Sequence, residues 1–153
     1  MRIVILILLL SRVASADTNT FTLEGQALMS WIGPMAGGSL HYEHRFENGA
    51  VTGRVAAAAG EFLDGGQFGL YSVLIGYRHY WGSMFGEVEV GGFGIRHGRV
   101  RDEDEGDQGV VWYGLPDSQL TFGGKAGPIE IAVYTKIPTA GIGLQLGLDF
   151  AWW

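Results

Sequence analysis

A serine, a histidine and an acid brought together could catalyse acyl transfer, and the chain offers one candidate set. His79 is followed four residues later by Ser83, with Glu87 and Glu89 just beyond it. In such a triad the histidine removes the serine proton and the acid orients the imidazole. Ser72 is an odd number of residues from His79, which places the two side chains on opposite faces of a strand. The spacing therefore predicts no catalytic residue, and we interpret His79 as an interfacial residue at a strand end.

Metal-binding patterns are equally incomplete. His41 and His44 are three residues apart, which suits one face of a helix but the two opposite faces of a strand. We expect one of them to lie in the lumen, paired with Glu43 or Arg54, and the other at an interface. The acidic run Asp102–Asp107 has Gly106 and Tyr113 at the fifth and twelfth positions, where a calcium loop requires oxygen ligands. The sequence predicts neither a metal site nor a cofactor.

Composition limits the classes of protein that remain. The chain has 153 residues, 26 of them glycine, and only 17% are charged. Both values depart from the usual ~7% glycine and ~25% charged residues of globular proteins. A formal charge of −6 disfavours nucleic acid as a partner, and the absence of cysteine excludes disulfides and thiolate chemistry. The length fits one domain after a removable leader.

The amino-terminal segment is typical of a secretory signal peptide. Arg2 precedes the apolar run Ile3–Leu10, and Ala14–Ala16 has the small-x-small form of a cleavage site. Eight apolar residues are too few for a spanning helix, which needs about 20. We predict a signal peptide over Met1–Ala16 and a mature domain over Asp17–Trp153, the alternative being a short hydrophobic first strand.

Beyond the leader the hydrophobic pattern has period two, which is typical of strands. The last segment shows it best, since Ile142, Leu144 and Leu146 alternate with Gly143 and Gln145. Eight such segments occur, at 21–31, 40–46, 51–57, 68–81, 87–90, 119–125, 129–136 and 142–150.

The connections between these segments differ in length. Short turns follow the second, fourth and sixth segments, at Asn48-Gly49, Gly82-Ser83 and Ala126–Pro128. Longer connections are expected at Gly60–Gln67 and His97–Pro116. Outer-membrane barrels combine short periplasmic turns with longer external loops. With the amino terminus inside, the odd-numbered connections would face outward. The pattern predicts an all-β, eight-stranded antiparallel up-and-down transmembrane β-barrel.

The same alternation also fits a secreted soluble ligand-binding barrel, in which the apolar face would point inward. The types of residue on the polar face favour a membrane barrel instead. Charges of both signs occupy mid-strand positions and could neutralise one another across a narrow lumen. A lumen filled in this way leaves no open solute pore. The predicted lumen charges are Glu24, Glu43, Arg45, Arg54, Arg78, Glu87, Glu89, Lys125, Glu130, Lys136 and Asp149.

Large aromatic residues lie at or near the ends of the predicted strands. Amphipathic rings concentrate at the headgroup level of membranes, whereas soluble barrels more often bury tryptophan in mid-core. The predicted interfacial aromatics are Trp31, Tyr80, Trp81, Trp112, Tyr113 and Trp152.

The last strand carries a resemblance to a known group. The alternating segment Gly143–Phe150 resembles the carboxy-terminal assembly signal of bacterial outer-membrane barrels, and Gly76–Arg78 and the glycine-rich Gly86–Gly94 are similar to the small barrels that include the OmpA membrane domain, OmpX and opacity proteins. The chain continues past Phe150 to Trp153, so either residue could be the aromatic that is recognised. The signal residues are Gly143, Leu144, Leu146, Leu148, Phe150 and Trp153.

This resemblance implies location in a bacterial outer membrane after export, with lipid, lipopolysaccharide and the barrel assembly machinery as partners. It implies a structural role in the envelope, or contact with a surface partner through external loops. Lipid A deacylases, another group of small barrels, imply the alternative of a lipid-modifying enzyme, but the His-x-Ser step that they use does not occur in this chain. The predicted external-loop residues, of which the arginines could meet lipopolysaccharide phosphates, are Arg96, Arg99, Arg101, Asp102 and Asp104.

Overall fold

The computed structural model describes residues 19–63, 66–98, 112–137 and 139–151. Among these residues no helix is long and apolar enough to cross a membrane. The described chain forms strands β1 Asn19–Ser30, β2 Gly33–Phe46, β3 Gly49–Glu61, β4 Gln67–Trp81, β5 Met84–Gly98, β6 Trp112–Ala126, β7 Ile129–Lys136 and β8 Gly141–Ala151.

The strands form one closed antiparallel barrel in which each pairs with its neighbours in sequence. The barrel closes between β1 and β8, where Phe21 pairs with Phe150 and Ala27 with Leu144. Closure gives every strand two hydrogen-bonded neighbours and leaves no free sheet edge. The predicted all-β class, strand number and up-and-down order are confirmed.

Side chains alternate between an exposed outer face and a buried interior. On β8, Leu144 and Leu146 are 65% and 59% exposed, whereas Gln145 between them is 2% exposed. On β3, Arg54 is 2% exposed and the adjacent Val55 is 59% exposed. The apolar face therefore points away from the barrel axis and the charged face points toward it.

The two ends of the barrel differ. At the turn end, the connections at 47–48, 82–83 and 127–128 have two residues each. At the loop end, the connections are 31–32, 62–66, 99–111 and 137–140. The expectation of longer connections here is wrong for the first, because β2 begins at Gly33 rather than near Leu40 and leaves a two-residue turn. The longest connection is also shorter than expected, since β5 continues to Gly98 and β6 begins at Trp112.

Gly49 is required for packing rather than for its turn. The sequence places it in the Asn48-Gly49 turn, but the residue with positive φ is Glu47, at 41°, and Gly49 begins β3. A Cβ on Gly49 would lie 2.4 Å from the Tyr77 hydroxyl. By contrast, Gly82 and Gly127 adopt φ values of 66° and 63° in their turns, a conformation that favours glycine.

Candidate functional site

The barrel interior is occupied by ionised side chains. We call the eleven charged residues expected in the lumen the lumen network, and all of them are on inward-facing strand positions. Eight are buried, while Arg45, Lys125 and Asp149 are partly exposed near the turn end. The eight are Glu24, Glu43, Arg54, Arg78, Glu87, Glu89, Glu130 and Lys136.

Arg54 joins three acids from two strands, Glu24 on β1 and Glu87 and Glu89 on β5. Its Nε donates to Glu89 at 2.8 Å, its Nη2 donates to Glu87 at 3.1 Å, and its Nη1 donates to Glu24. The same Nη1 donates to Gln145 Oε1 at 3.0 Å. Charge-assisted hydrogen bonds of this kind are stronger than neutral ones. They connect β3 with β1, β5 and β8 across the lumen.

Arg78 has the corresponding position nearer the turn end. Its Nη1 and Nη2 donate to Glu130 Oε2 and Glu87 Oε2 at 2.7 and 2.8 Å, and Nη1 lies 3.3 Å from Glu43 Oε2. Its guanidinium carbon stands 3.9 Å from the centroid of the fully buried Phe85 ring. The cation is therefore held by three acids and an aromatic face.

The turn end of the lumen is closed by a second group of contacts. Lys125 Nζ lies 2.9 Å from Asp149 and 3.3 Å from Glu130. Tyr80 donates to Glu43, and the Arg45 guanidinium stands 4.7 Å from the centre of the Tyr80 ring. The interpretation of Tyr80 as an interfacial aromatic is thus wrong, because its position two residues after Arg78 turns it inward.

Two more polar side chains, those of Asp117 and His41, point into the lumen. Asp117, which is not among the predicted lumen charges, is 4% exposed and forms an ion pair with Lys136. His41 is fully buried, and its Nε2 lies 2.8 Å from Glu87 Oε1 rather than beside Glu43 or Arg54. His44, on the outer face, lies 2.9 Å from Asn19 Oδ1. The two histidines therefore lie on opposite faces of β2.

The loop-end half of the interior contains an apolar cluster that the predicted set of lumen charges does not include. Leu28 and Met35, which pair between β1 and β2, are 3% and 6% exposed. Alternation gives a signal for this cluster, since Leu28 shares the inward parity of Glu24 and Gln26. The buried Lys136–Asp117 ion pair lies in the same half of the barrel. The turn-end half, around Arg54 and Arg78, is called the ionised half. The apolar lumen cluster consists of Leu28, Met35, Phe68, Leu70, Phe93 and Tyr134.

On the outer face, aromatic rings gather near the turn end. Trp81 is 56% exposed, packs edge-on against His79 at 4.8 Å and lies 6.4 Å from Phe122. The His79 ring also lies 6.4 Å from Tyr77, whose hydroxyl is 3.4 Å from His79 Nδ1. His79 therefore belongs to an outward aromatic group rather than to a serine-containing triad.

The remaining predicted residues are distributed as follows. Trp31 is 66% exposed in the first loop-end turn, and Phe150 is partly exposed on β8 with Gly143, Leu144, Leu146 and Leu148. By backbone position Arg96 belongs to β5, and Trp112 and Tyr113 belong to β6. Outside the described residues are the leader Met1–Ala16, the loop residues Arg99, Arg101, Asp102 and Asp104, and the terminal Trp152 and Trp153.

The closed eight-stranded barrel, apolar outside and ionised inside, is the fold of small bacterial outer-membrane proteins. No protein-family model and no curated protein matches this sequence. Among solved structures, the chain is similar to the outer membrane protein Ail of Yersinia pestis, with 15% identity over 88% of this chain and 99% of that one and a TM-score of 0.54.

Two further barrels are similar over 88% of this chain. They are the amino-terminal domain of Pseudomonas aeruginosa OprF, with 11% identity, 98% of that chain covered and a TM-score of 0.60, and neisserial surface protein A, with 10% identity, 96% covered and a TM-score of 0.60. All three similar structures are small outer-membrane proteins with this barrel fold, which is the group that the carboxy-terminal resemblance predicts.

Proposed function

We propose that the chain resides in a bacterial outer membrane and spans it as a barrel. The supporting observation is the extent of outward apolar surface, in which Ile75, Leu144 and Ile142 are 66%, 65% and 69% exposed. Soluble monomers rarely expose contiguous apolar patches above a few hundred Å². Strands of these lengths suit a tilted crossing of the hydrocarbon layer.

Fractionation of expressing Gram-negative cells tests this location. The chain should enter the outer-membrane fraction and migrate differently on gels before and after boiling, because a folded barrel resists detergent. Recovery as a soluble periplasmic or secreted protein would support the ligand-binding alternative and contradict the proposal.

The proposal includes export and assembly. Removal of Met1–Ala16 would give a mature amino terminus at Asp17, which amino-terminal sequencing of the membrane fraction checks. The last strand would be recognised by the barrel assembly machinery. Truncation after Phe150 should reduce the folded fraction only if Trp153 is the aromatic that is recognised, whereas Phe150→Ala in the full chain should reduce it only if Phe150 is.

We further propose that the lumen conducts no solutes. Arg54 and Arg78 tie acids together across the barrel in its ionised half, and the apolar lumen cluster and the buried Lys136–Asp117 pair occupy the other half. Purified protein in planar lipid bilayers should show no steady conductance, with a general porin as positive control. Stable single-channel steps from the folded barrel would refute this part of the proposal.

The function supported best is therefore an envelope or surface-contact role carried by the loop end. One of the similar structures is Ail in complex with the heparin analogue sucrose octasulfate, at 14% identity and a TM-score of 0.52. In this chain the longest connection is 99–111, and it contains Arg99 and Arg101 beside Asp102 and Asp104. We propose that this loop makes the surface contact.

Replacing residues 99–111 with a two-residue turn tests the role of the loop. The shortened protein should keep its heat-modifiable mobility, because the barrel contacts remain, while resistance of the cells to detergent or binding of a sulfated polysaccharide should fall. Protease shaving of intact cells should cleave the parent chain in this loop. Unchanged phenotypes with a folded shortened barrel would exclude the loop as the functional element.

A further inference from the structure

Three buried side chains in the ionised half of the lumen are of the types that bind metal ions, one histidine and two glutamates. His41 on β2 and Glu87 and Glu89 on β5 each offer one ligand atom, and these atoms lie within 4.8 Å of one another. The three residues are at most 2% exposed. Ligand atoms around a tetrahedral Zn²⁺ are about 3.3 Å apart, given metal–ligand bonds of about 2.0 to 2.1 Å. The side chains therefore need only small movements to enclose an ion.

Arg54 holds the two carboxylates from one side only. It donates to Oε2 of Glu87 and to Oε2 of Glu89. The other oxygen of Glu87 faces His41 Nε2 at 2.8 Å, and the other oxygen of Glu89 has no hydrogen-bond partner. Oε1 of Glu89 is thus free to bind a cation, and Oε1 of Glu87 would exchange its hydrogen bond with His41 for a bond to the metal.

Unpaired buried atoms support the same interpretation. His41 Nδ1 and Glu89 Oε1 are buried without hydrogen-bond partners, and so is Oε1 of Gln119, the residue that pairs with Glu89 on β6. Buried polar atoms in proteins are nearly always satisfied, so each exception points to a missing partner. Oε1 of ionised Glu89 and the amide oxygen of Gln119 are acceptors, and a cation satisfies acceptors.

The formal charge of the interior has the matching sign. The lumen network with Asp117 contains seven carboxylates and five cationic side chains, which leaves −2 when His41 is neutral. Uncompensated charge in a low-dielectric interior is strongly unfavourable. One divalent ion balances this excess.

We propose that His41, Glu87 and Glu89 bind one divalent transition-metal ion of the zinc class inside the barrel. Imidazole together with carboxylates suits Zn²⁺ and its neighbours rather than Mg²⁺ or Ca²⁺. The site is enclosed by the barrel wall, so the ion enters as the strands close. Its role is structural, joining β2 to β5 across the lumen.

The test is refolding of the chain into detergent micelles with Zn²⁺, followed by a chelator wash and metal analysis. Wild type should retain about one zinc per chain, and His41→Gln should retain at least about tenfold less, since loss of even an indirect partner of a metal costs about 10- to 100-fold in affinity. His44→Gln is the matched control on the outer face and should retain zinc as wild type does. Zinc should also raise the unfolding midpoint of wild type and leave that of His41→Gln unchanged.

Glu89→Gln distinguishes an ion from simple charge excess. With a bound ion, the variant loses zinc and its zinc-dependent shift in unfolding midpoint. Without an ion, wild type and Glu89→Gln should each unfold at the same midpoint in chelator and in zinc, because the only charged partner that the variant loses is Arg54. That second result, or equal zinc retention by His41→Gln and wild type, would overturn the proposal.

If the variants do not fold, wild-type protein alone tests the proposal. An ion in the lumen survives the chelator while the barrel is folded and is released on boiling, together with the change in gel mobility. Zinc on an exposed histidine is removed at once. Wild-type protein that holds no zinc after the wash would refute the site. Buried water would then be the partner of the unpaired atoms.

Discussion

At the scale of single residues, Arg54 and Arg78 each have three charged partners whose side chains are fully buried, and Arg54 is the more central of the two. It contacts Glu24, Glu87 and Glu89, and all four side chains have no exposed area. Replacing a complete buried ion pair by apolar groups is often tolerated, but removing one partner leaves a buried charge without compensation. The consequence of losing Arg54 therefore depends on the acids that remain.

Arg54→Met should destabilise the folded barrel by about 3 to 5 kcal/mol, the range for breaking a buried ion pair. Urea titration of the protein refolded in lipid vesicles measures this, with gel mobility reporting the folded fraction. Arg45→Met is the matched control, because the Arg45 side chain is 37% exposed at the turn end. Its loss should cost about 1 kcal/mol or less, as for exposed pairs. Equal effects of the two variants would contradict the central position of Arg54.

At the scale of strands, particular glycines set how closely bulky inward side chains approach the barrel wall. A Cβ on Gly76 would lie 2.2 Å from Val88 O and 2.7 Å from Glu89 Cγ, and one on Gly143 would lie 2.5 Å from the Tyr134 ring. In the structure, Gly91 approaches the β4 backbone at Val73 O, 2.0 Å from its Cβ position.

Gly76→Ala should therefore destabilise the barrel by about 1 to 3 kcal/mol through overpacking. Gly53→Ala is the control on the neighbouring strand β3, because its Cβ would meet Leu74 O only at 4.0 Å. That variant should change stability by no more than about 0.5 kcal/mol. Unfolding midpoints in urea compare the two, and a neutral Gly76→Ala would show that β4 and β5 can separate at no cost.

At the scale of the whole molecule, the barrel reverses the usual distribution of side chains in a soluble protein, with apolar residues on the outer face and charged residues in the interior. Leu146 is 59% exposed while Glu89 and Glu130 are fully buried. Such a surface is stable in hydrocarbon, where closed barrels satisfy every backbone group internally. The surrounding solvent therefore determines the cost of a charge placed on the outer face.

Leu146→Arg should cost about 2 to 4 kcal/mol in lipid vesicles, the range for a charge facing the bilayer midplane. Trp31→Arg, in the first loop-end turn, should cost about 0 to 1 kcal/mol because interfacial positions tolerate charge. Refolding equilibria in vesicles provide both values. A Leu146→Arg variant as stable as wild type would mean that this face contacts water.

Local alternation in the sequence is enough to define the strands and the direction in which most side chains point. Because alternation is a local property, Arg54 and Val55 have opposite environments whatever the rest of the chain does. The same alternation puts Leu28 on the face of Glu24 and Tyr80 on the face of Arg78. The interfacial prediction for Tyr80 followed its residue type, whereas alternation gives its direction correctly.

Which inward residues contact one another depends on the tertiary structure. His41 contacts Glu87 46 positions away, and Gln145 donates to Glu24 across 121 positions. These partners depend on the register of all eight strand pairs and on closure between β1 and β8. A register shift of one residue would reverse the faces, and a shift of two would keep the alternation while changing every partner. Local periodicity therefore fixes which way a side chain points, and the register of the closed barrel fixes what it contacts.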